Sequence, residues 1–361
     1  MVKKKGKRAD PEKKAALQAR KEAKADKKTQ KRLQKEDRSV EIEDVDSLIE
    51  TYHQQDKTSS AGLNQTLRIL PVDGFPPPRA NATLTLVEGK KGTEAYLFGG
   101  EYYDGVENIV LNQLFKVDIG KNGCEWKHIV AVDPVPPASC AHSCVYYNQH
   151  LYVFGGEMAN NDEYHHYRDL WKFNTKTNVW TELKPAKVTG THPSARSGLV
   201  AEVWKHFIVF FGGFFEATKD APKWFNDVYV FNMQTESWLT IPHSKLTVRP
   251  EPRSACNSAI IDDRLIVHGG FSKLSKAILK LQPGEEEVSE TKTHTDAWAL
   301  QLKPLLSDQP PVWERILSST ARKTFDGGPR GRSGMAPAAY RGGPLAFGGV
   351  AVREKLNHKR K

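Results

Sequence analysis

The sequence predicts an all-β fold in which one four-stranded unit is copied around a centre, that is, a β-propeller. Three observations lead to this prediction: a recurring glycine pair, other positions in register with it, and short apolar runs between them. The chain has 361 residues, and an apolar run ends in two glycines five times: at Gly99-Gly100, Gly155-Gly156, Gly212-Gly213, Gly269-Gly270 and Gly348-Gly349. Successive pairs lie 56, 57, 57 and 79 residues apart, a spacing that indicates a repeated supersecondary unit.

The positions before each glycine pair mark the start of the unit. Sixteen residues before the first glycine of copies two to five stand Ser139, Arg196, Arg253 and Arg332. The first copy has Arg79 twenty residues before its glycine, and we attribute the excess to a longer turn at residues 89–92. We expect an apolar strand A to follow each of these residues and strand B to end at the glycine pair.

The positions after each glycine pair mark the rest of the unit. Strand C opens with an aspartate before an apolar and an aromatic residue, at Asp169, Asp227 and Asp296. Strand D carries a spaced tryptophan, at Trp126, Trp180, Trp238 and Trp313. The glycine pairs, aspartates and tryptophans are interpreted as structural, since they serve close backbone approach, turn bonds and packing between blades. Four-stranded copies of about fifty residues arranged radially form a propeller.

The pattern divides the chain into a tail, a linker and a propeller. We expect blades at about 76–130, 136–185, 193–242 and 250–317 and a partial blade at 328–350, within a propeller domain of residues 61–350. Residues 1–40 form a basic low-complexity tail, partly helical or disordered. Residues 41–60 form an acidic amphipathic helix with a linker, and residues 351–361 a basic C-terminal tail.

The glycine pair, the Asp-apolar-aromatic motif and the spaced tryptophan together resemble the kelch repeat. The resemblance covers nearly the whole chain, from Val2 to about Val350, and includes the lysine-rich opening segment. It implies a six-bladed ring, whereas this sequence supplies four complete blades and a partial fifth. We therefore expect an open arc, which belongs either to a truncated form of the protein or to a propeller that a second chain closes. The stretch from Thr66 to Leu70 matches a closing outer strand of the sixth blade, and without that blade we expect it to have no sheet to join.

The charge of the chain is concentrated in its first residues. Residues 1–40 contain 16 Lys and Arg against 6 Asp and Glu, a surplus of ten that equals the net charge of the whole chain. The body of the chain is balanced in charge, so any contact with nucleic acid is expected to use the basic tail alone, and a solvated tail without such a partner is the alternative. The longest apolar run, Phe207 to Phe215, is too short to span a bilayer, and no secretory signal opens the chain. An intracellular protein of the cytoplasm or nucleus, with no membrane contact, is predicted.

The meander places the B–C loops and the links between blades on one side of the disc. These loops are long and aromatic, and the links bring in the arginines, so this side gathers the residue types of interaction hot spots. The candidate partner-binding residues are Tyr102, Tyr103, Tyr164, His165, His166, Tyr167, Phe214, Phe215, Trp224, Arg79, Arg196, Arg253 and Arg332. For the arginines, a structural role and a binding role both stay open, since they recur in nearly every copy.

The predicted function is a non-enzymatic module or scaffold that binds a protein or peptide, with no cofactor and no metal. One alternative is a copper-radical oxidase, because galactose oxidase has a kelch propeller. Against it, His165 and His166 are adjacent, so in an extended loop their side chains point apart. The other alternative is a substrate receptor of a ubiquitin ligase. About sixty residues precede the first blade, too few for a BTB domain, and the stretch after Val350 is too short for a cullin-recruiting box.

Overall fold

The structure is a computed structural model, and it describes residues 67–89, 92–120, 123–160, 164–184, 192–216, 222–239, 241, 248–273, 291–307, 309–317, 333–340 and 343–350. Backbone contacts divide the chain into two units, Met1–Leu63 and Asn64–Lys361. The predicted basic tail, acidic helix and C-terminal tail lie outside the described residues. None of the helices in the described ranges is long and apolar enough to cross a membrane.

Four antiparallel sheets repeat the predicted order A-B-C-D, which confirms the all-β propeller. Blade 1 contains β2 (Thr83–Gly89), β3 (Gly92–Phe98), β6 (Leu114–Gly120) and β7 (Gly123–Val130). Blade 2 contains β8 (Ser143–Tyr147), β9 (His150–Phe154), β12 (Leu170–Asn174) and β13 (Val179–Glu182). Blade 3 contains β14 (Val200–Trp204), β15 (Phe207–Phe211), β18 (Val228–Asn232) and β19 (Ser237–Leu239). Blade 4 contains β20 (Asn257–Ile261), β21 (Arg264–His268), β24 (Ala297–Gln301) and β25 (Val312–Leu317), with a 3₁₀ helix at Lys303–Ser307.

The fifth copy forms a two-stranded sheet of β26 (Ser333–Tyr340) and β27 (Gly343–Val350). Successive A strands contact each other, β2 with β8, β8 with β14, β14 with β20 and β20 with β26. The blades are therefore arranged side by side around their A strands, as a propeller requires.

Every B–C loop of the four blades folds into a short hairpin of its own, which the sequence analysis did not predict. The hairpins are β4 (Glu101–Tyr103) with β5 (Asn108–Val110), β10 (Glu157–Ala159) with β11 (Tyr164–His166), β16 (Phe214–Glu216) with β17 (Pro222–Trp224), and β22 (Phe271–Lys273) with β23 (Thr291–Thr293). The residue after the blade's arginine or serine forms a bridge to the first residue of each hairpin, as in Cys140 with Glu157 and Ser197 with Phe214.

Two expectations about blade 1 are wrong. The segment β1 (Arg68–Pro71) does join a sheet: it pairs antiparallel with β7 and becomes the outermost, fifth strand of blade 1. The outer edge of β7 offers free backbone groups directly beside it, so a sixth blade is not needed. The extra residues of the first copy do not lengthen the A–B turn either. They lengthen β2 and β3 to seven residues each, and Gly89 lies opposite Gly92.

The core lies between neighbouring blades, where aromatic rings of one blade pack on the next. The Trp180 ring of blade 2 lies 5.3 Å from Phe98 of blade 1, and the Trp313 ring of blade 4 lies 5.0 Å from Phe211 of blade 3. Trp180 and Trp313 are buried. For Trp180 and Trp313 this confirms that the spaced tryptophans pack between blades.

The glycine pairs allow the link of the next blade to approach closely. Gly155 and Gly212 have φ of +70° and +71°. A Cβ at Gly155 would lie 2.5 Å from the carbonyl oxygen of Arg196, and one at Gly212 would lie 2.6 Å from that of Arg253. Only glycine adopts this positive φ without strain and has no Cβ to clash with the nearby carbonyl oxygen. The predicted structural role of the pairs is therefore confirmed.

Candidate functional site

The four B–C hairpins lie side by side and define one surface, which we call the hairpin face. Contacts join β5 to β10, β11 to β16 and β17 to β22. At the first junction Asn108 Nδ2 donates to the carbonyl oxygen of Ala159 over 2.8 Å. The links between blades reach the same side, because each forms a bridge to the hairpin of its own blade. The predicted convergence of B–C loops and links is thus present.

Aromatic rings run along the hairpin face from blade 2 to blade 4. The ring of His166 lies 5.3 Å from Phe214, and Phe214 lies 4.9 Å from Trp224. Trp224 in turn lies 6.2 Å from Phe271. Phe215, on the neighbouring position of β16, lies 5.2 Å from His166. Phe214, Phe215 and Trp224 are half-buried, so this aromatic row is covered in part by its own neighbours and open in part to solvent.

The tyrosines of the first two hairpins are the more accessible members of the candidate set. Tyr103 is 69% exposed and Tyr164 is 42% exposed, while Tyr102 is half-buried. His165 is exposed as well, and its ring lies 4.6 Å from the half-buried Tyr167. These side chains offer flat apolar surface together with polar groups, which suits contact with a protein.

Beneath Tyr164 a polar cluster joins blades 2 and 3. The Tyr164 hydroxyl lies 3.1 Å from His166 Nε2 and 3.2 Å from Glu216 Oε2. The backbone N–H of Glu216 donates to His166 Nε2 over 3.0 Å. The Ser197 hydroxyl donates to Glu157 Oε2 over 2.7 Å. These bonds hold the hairpins of the two blades in a fixed relation.

Burial controls the charge of this cluster. It lowers the pKa of His166 to about 4, so the imidazole is neutral at pH 7. Burial also raises the pKa of Glu157 and places that of the Cys140 thiol well above its ordinary range. Cys140 is therefore a protonated thiol at neutral pH and a poor nucleophile.

Two candidate arginines lie inside the blades. Arg196 and Arg253 are 2% and 0% exposed. Arg196 donates to both carboxylate oxygens of Asp227, at 2.6 and 3.1 Å, and Arg253 to both of Asp296, at 2.7 and 3.3 Å. Side chains without accessible surface cannot contact a partner, so of the two roles left open by the sequence these residues have the structural one. The candidate surface is corrected accordingly.

The other two candidate arginines are Arg79 and Arg332. Arg79 is half-buried and donates to Gly99 O over 3.2 Å and to Gln113 Oε1 over 3.0 Å. Arg332 lies outside the described residues. Of the predicted set, the structure therefore brings together the aromatic and histidine positions of blades 1 to 3 on the hairpin face.

Sequence reasoning missed the acidic side chains of this face. Glu101, Glu157 and Glu216 each occupy a hairpin strand, and Glu101 accepts hydrogen bonds from Asn81 and Asn108 at 2.5 and 2.6 Å. A glutamate directly after the glycine pair in copies one and two was the available signal. Across the described ranges no three His, Cys, Asp or Glu side chains are grouped so that they could hold a metal ion.

Comparison with known proteins identifies the repeat. The family model of the KLHDC2/KLHL20/DRC7 Kelch-repeats domain matches residues 81–303. Kelch domain-containing protein 3 of Bos taurus is 25% identical over 186 residues, covering 50% of this chain and 46% of that protein. Kelch domain-containing protein 1 of Mus musculus is 27% identical over 195 residues, covering 48% of this chain and 47% of that protein. The chain thus spans about half the length of these relatives.

A solved structure gives the same fold. The chain described as "Structure of YjhT" superposes with a TM-score of 0.53 at 18% identity, covering 76% of this chain and 78% of that one. At this identity the likeness concerns the fold alone.

Proposed function

The chain belongs to the Kelch-repeat family, and from this premise we propose that it is a non-enzymatic interaction module whose hairpin face binds a protein or peptide partner. Kelch-repeat propellers are commonly protein-interaction modules. The observation that carries the proposal is the continuous aromatic row of the hairpin face, with Tyr164 exposed beside it and Tyr103 exposed on the blade 1 hairpin. Exposed aromatic side chains on a rigid support are typical of binding hot spots.

The chemistry of the cluster under this face supports binding over catalysis. A neutral His166, a protonated Cys140 and a Ser197 that donates to Glu157 form a hydrogen-bonded base for the loops. A protonated thiol is a poor nucleophile, and the Ser197 hydroxyl ties the link that precedes blade 3 to the hairpin of blade 2. We infer that their role is to fix the hairpins in position, which lowers the entropic cost of binding.

We further propose that the chain is most similar in its loop motifs to kelch domain-containing protein 4. This rests on stretches such as Phe98-Gly99-Gly100-Glu101-Tyr102 and the run from Tyr164 to Trp171. An intracellular location and contact with nucleic acid through the basic tail stay predictions from the sequence.

The proposal is tested by selecting peptides from a random library on the purified full chain and measuring their affinity for variants. Tyr103→Ala and Tyr164→Ala each remove an exposed ring, and each is expected to weaken binding by more than about 1 kcal/mol, roughly fivefold or more. Val179→Ala is the matched control, because Val179 is 52% exposed but opens β13 at the opposite end of the blade. Equal affinity of a folded double tyrosine variant and the control would refute the hairpin face as the binding surface.

A further inference from the structure

Blades 3 and 4 each enclose a guanidinium group in the same slot. In blade 3, Arg196 donates to the carbonyl oxygen of Gly212 over 3.0 Å and to both oxygens of Asp227, and its Cζ lies 3.9 Å from the ring of Phe225. The slot thus consists of a backbone carbonyl at the end of strand B, a carboxylate at the start of strand C and an aromatic ring two residues before it. A planar cation with several donors satisfies all three.

Blade 4 repeats the carbonyl and the carboxylate of this arrangement, with His294 two residues before its aspartate. Arg253 donates to the carbonyl oxygen of Gly269 over 3.1 Å and to Asp296. The indole N–H of Trp298 also donates to Asp296 Oδ2, over 2.8 Å. In blade 1, Arg79 occupies the position with Gln113 as the acceptor in place of the aspartate. Three of the four blades therefore fill the slot from their own link.

Blade 2 has the slot without the arginine. Ser139 stands at the arginine position, and its hydroxyl lies 3.2 Å from His142 Nδ1. The rest of the slot is in place: Gly155 N–H donates to the backbone oxygen of Asp169 over 3.3 Å, the same distance as between Gly212 and Asp227 in blade 3. Tyr167, two residues before the aspartate, takes the place of Phe225.

A pocket lies at this position of blade 2, and its lining includes Ser139, Gly155, Tyr167, Asp169 and Trp171. Its enclosed part, about 10 Å³, has room for about one water molecule, and the rest of the space is open to solvent. Asp169 is half-buried, and among the described residues none donates a hydrogen bond to its carboxylate or forms an ion pair with it. Asp169 interacts electrostatically with His192, whose pKa is lowered by burial, so that ring carries little positive charge at pH 7.

A second group in the pocket wall is unpaired. Trp171 is 8% exposed, and its buried indole nitrogen has no hydrogen-bond partner among the described residues. The equivalent tryptophan of blade 4, Trp298, donates to Asp296, which Arg253 holds from the other side. Among the described residues, blade 2 therefore lacks the donors to its aspartate that blade 4 supplies from Arg253 and Trp298. A carboxylate without donors is a position where a cationic group is expected, whereas the indole N–H is itself a donor and would need an acceptor.

We propose that the blade 2 slot binds the guanidinium group of an arginine side chain supplied by a protein or peptide partner. This deepens the proposed function, on which it rests for the nature of the partner, since the slot lies between the link and the B–C loop of blade 2. A guanidinium donates two parallel bonds to Asp169, a further bond to the Gly155 carbonyl, and stacks on Tyr167. An ammonium group cannot make this set, because it is not planar and presents its donors from one point.

The test uses the full chain and three capped amino acids: N-acetyl-arginine methylamide and its lysine and citrulline counterparts. Binding is followed by ligand-observed NMR, with an expected dissociation constant for the arginine compound of about 1–10 mM, since a single small group is bound. We expect binding at least tenfold weaker for lysine, which lacks the planar fork, and for citrulline, which lacks the charge. Equal binding of the three would overturn the proposal.

Two variants and one control locate the site. Ser139→Arg supplies the missing arginine from the chain itself and is expected to abolish binding of the arginine compound. Asp169→Asn removes the acceptor charge, is expected to weaken binding at least tenfold, and serves if the first variant does not fold. Ala138→Arg, at a half-buried position, adds the same charge one residue away and should leave binding unchanged. Binding that persists in both folded slot variants contradicts the proposal.

Library selection on the full chain separates this proposal from the function on which it rests. Arginine should be enriched in peptides selected on the wild-type chain, and the enrichment should be lost on Ser139→Arg. Peptides that depend on Tyr103 and Tyr164 but show no arginine enrichment would overturn the slot and leave the hairpin face intact. Binding of the arginine compound without any peptide that depends on those tyrosines would retain the slot and refute the hairpin face.

Discussion

Blades 2 and 4 have the same strand order but differ in the partners of the aspartate that opens strand C. In blade 4 the carboxylate of Asp296 accepts from Arg253 and from the indole of Trp298, so every member of the group is paired. In blade 2 the corresponding Asp169 faces a solvent-connected pocket, and the indole of Trp171 is unpaired among the described residues. At the link position, Ser139 of blade 2 corresponds to Arg253 of blade 4. One substitution in a repeat can therefore change which partners reach the aspartate of strand C.

The largest expected change in stability comes from removing the arginine of blade 4. Arg253→Ala removes the buried cation that holds both oxygens of Asp296 and leaves only the exposed Arg315, 3.4 Å from Oδ2, beside that carboxylate. We expect a loss of about 3 kcal/mol in the free energy of unfolding. Ser139→Ala, at the same position of blade 2, should cost less than about 1 kcal/mol, because no ion pair is lost. Urea denaturation followed by circular dichroism measures both.

A double substitution checks the reason for that difference. If the loss comes from the unpaired carboxylate, then Arg253→Ala combined with Asp296→Ala should recover part of the stability. Equal losses for Arg253→Ala and Ser139→Ala would show that the ion pair of blade 4 contributes nothing beyond packing.

The repeat and its strands were predictable from sequence because they depend on local rules. Glycine pairs mark close backbone approach, apolar alternation marks strands, and each recurs at a fixed distance. The pairing of β1 with β7 was not predictable in this way, because residues 68–71 carry no sequence signal for the sheet edge that they join. The B–C hairpins were missed for a related reason: strands of three residues carry too short a pattern to be recognised.

The candidate site was predictable at the level of the face but not of the individual side chain. The meander places the B–C loops together, so Tyr164 and Trp224 could be assigned to one surface from topology. Whether an arginine points outward or into its blade depends on partners up to 43 residues away, as for Arg253 and Asp296. The departure at Ser139 was visible in the sequence, but the pocket between Ser139 and Asp169 was seen only in the structure.

Both blades also bury a histidine, so the stability of the folded chain should fall in acid. Burial lowers the pKa of His166 in blade 2 and of His294 in blade 4 to about 4, from an ordinary value of 6.5. Between these values the unfolded chain binds more protons than the folded one, so stability is full above about pH 6.5 and falls as the pH falls towards 4. Each histidine contributes a loss on the order of 3 kcal/mol at most.

Blade 4 has a further loss at lower pH. Burial alone would raise the pKa of Asp296, but the hydrogen bonds from Arg253 and Trp298 outweigh it and hold that pKa well below its usual range. The stability contributed by this carboxylate is present above about pH 4 and is lost as the pH falls through its lowered pKa. Chemical denaturation at pH 7, 5 and 4 measures the histidine part, with His166→Asn and His294→Asn as variants. Unchanged stability between pH 7 and 4 would contradict the neutral, buried state of both rings.

The smallest expected effect comes from converting blade 2 into a copy of blades 3 and 4. Ser139→Arg places a guanidinium beside Asp169 and the Gly155 carbonyl, and hydrogen bonds to a charged group contribute about 1.5–3 kcal/mol. Ordering the long side chain costs about 2 kcal/mol at most, and the Ser139 bond to His142 is lost. We therefore expect a net gain of about 1 kcal/mol, seen as a rise of roughly 2–4 °C in Tm. The gain should disappear when Asp169→Asn is added, because the carboxylate is the partner that makes burial of the cation favourable. A loss of stability in Ser139→Arg that Asp169→Asn does not alter would mean that the slot has closed around Tyr167 and no longer accommodates the group that its sister blades enclose.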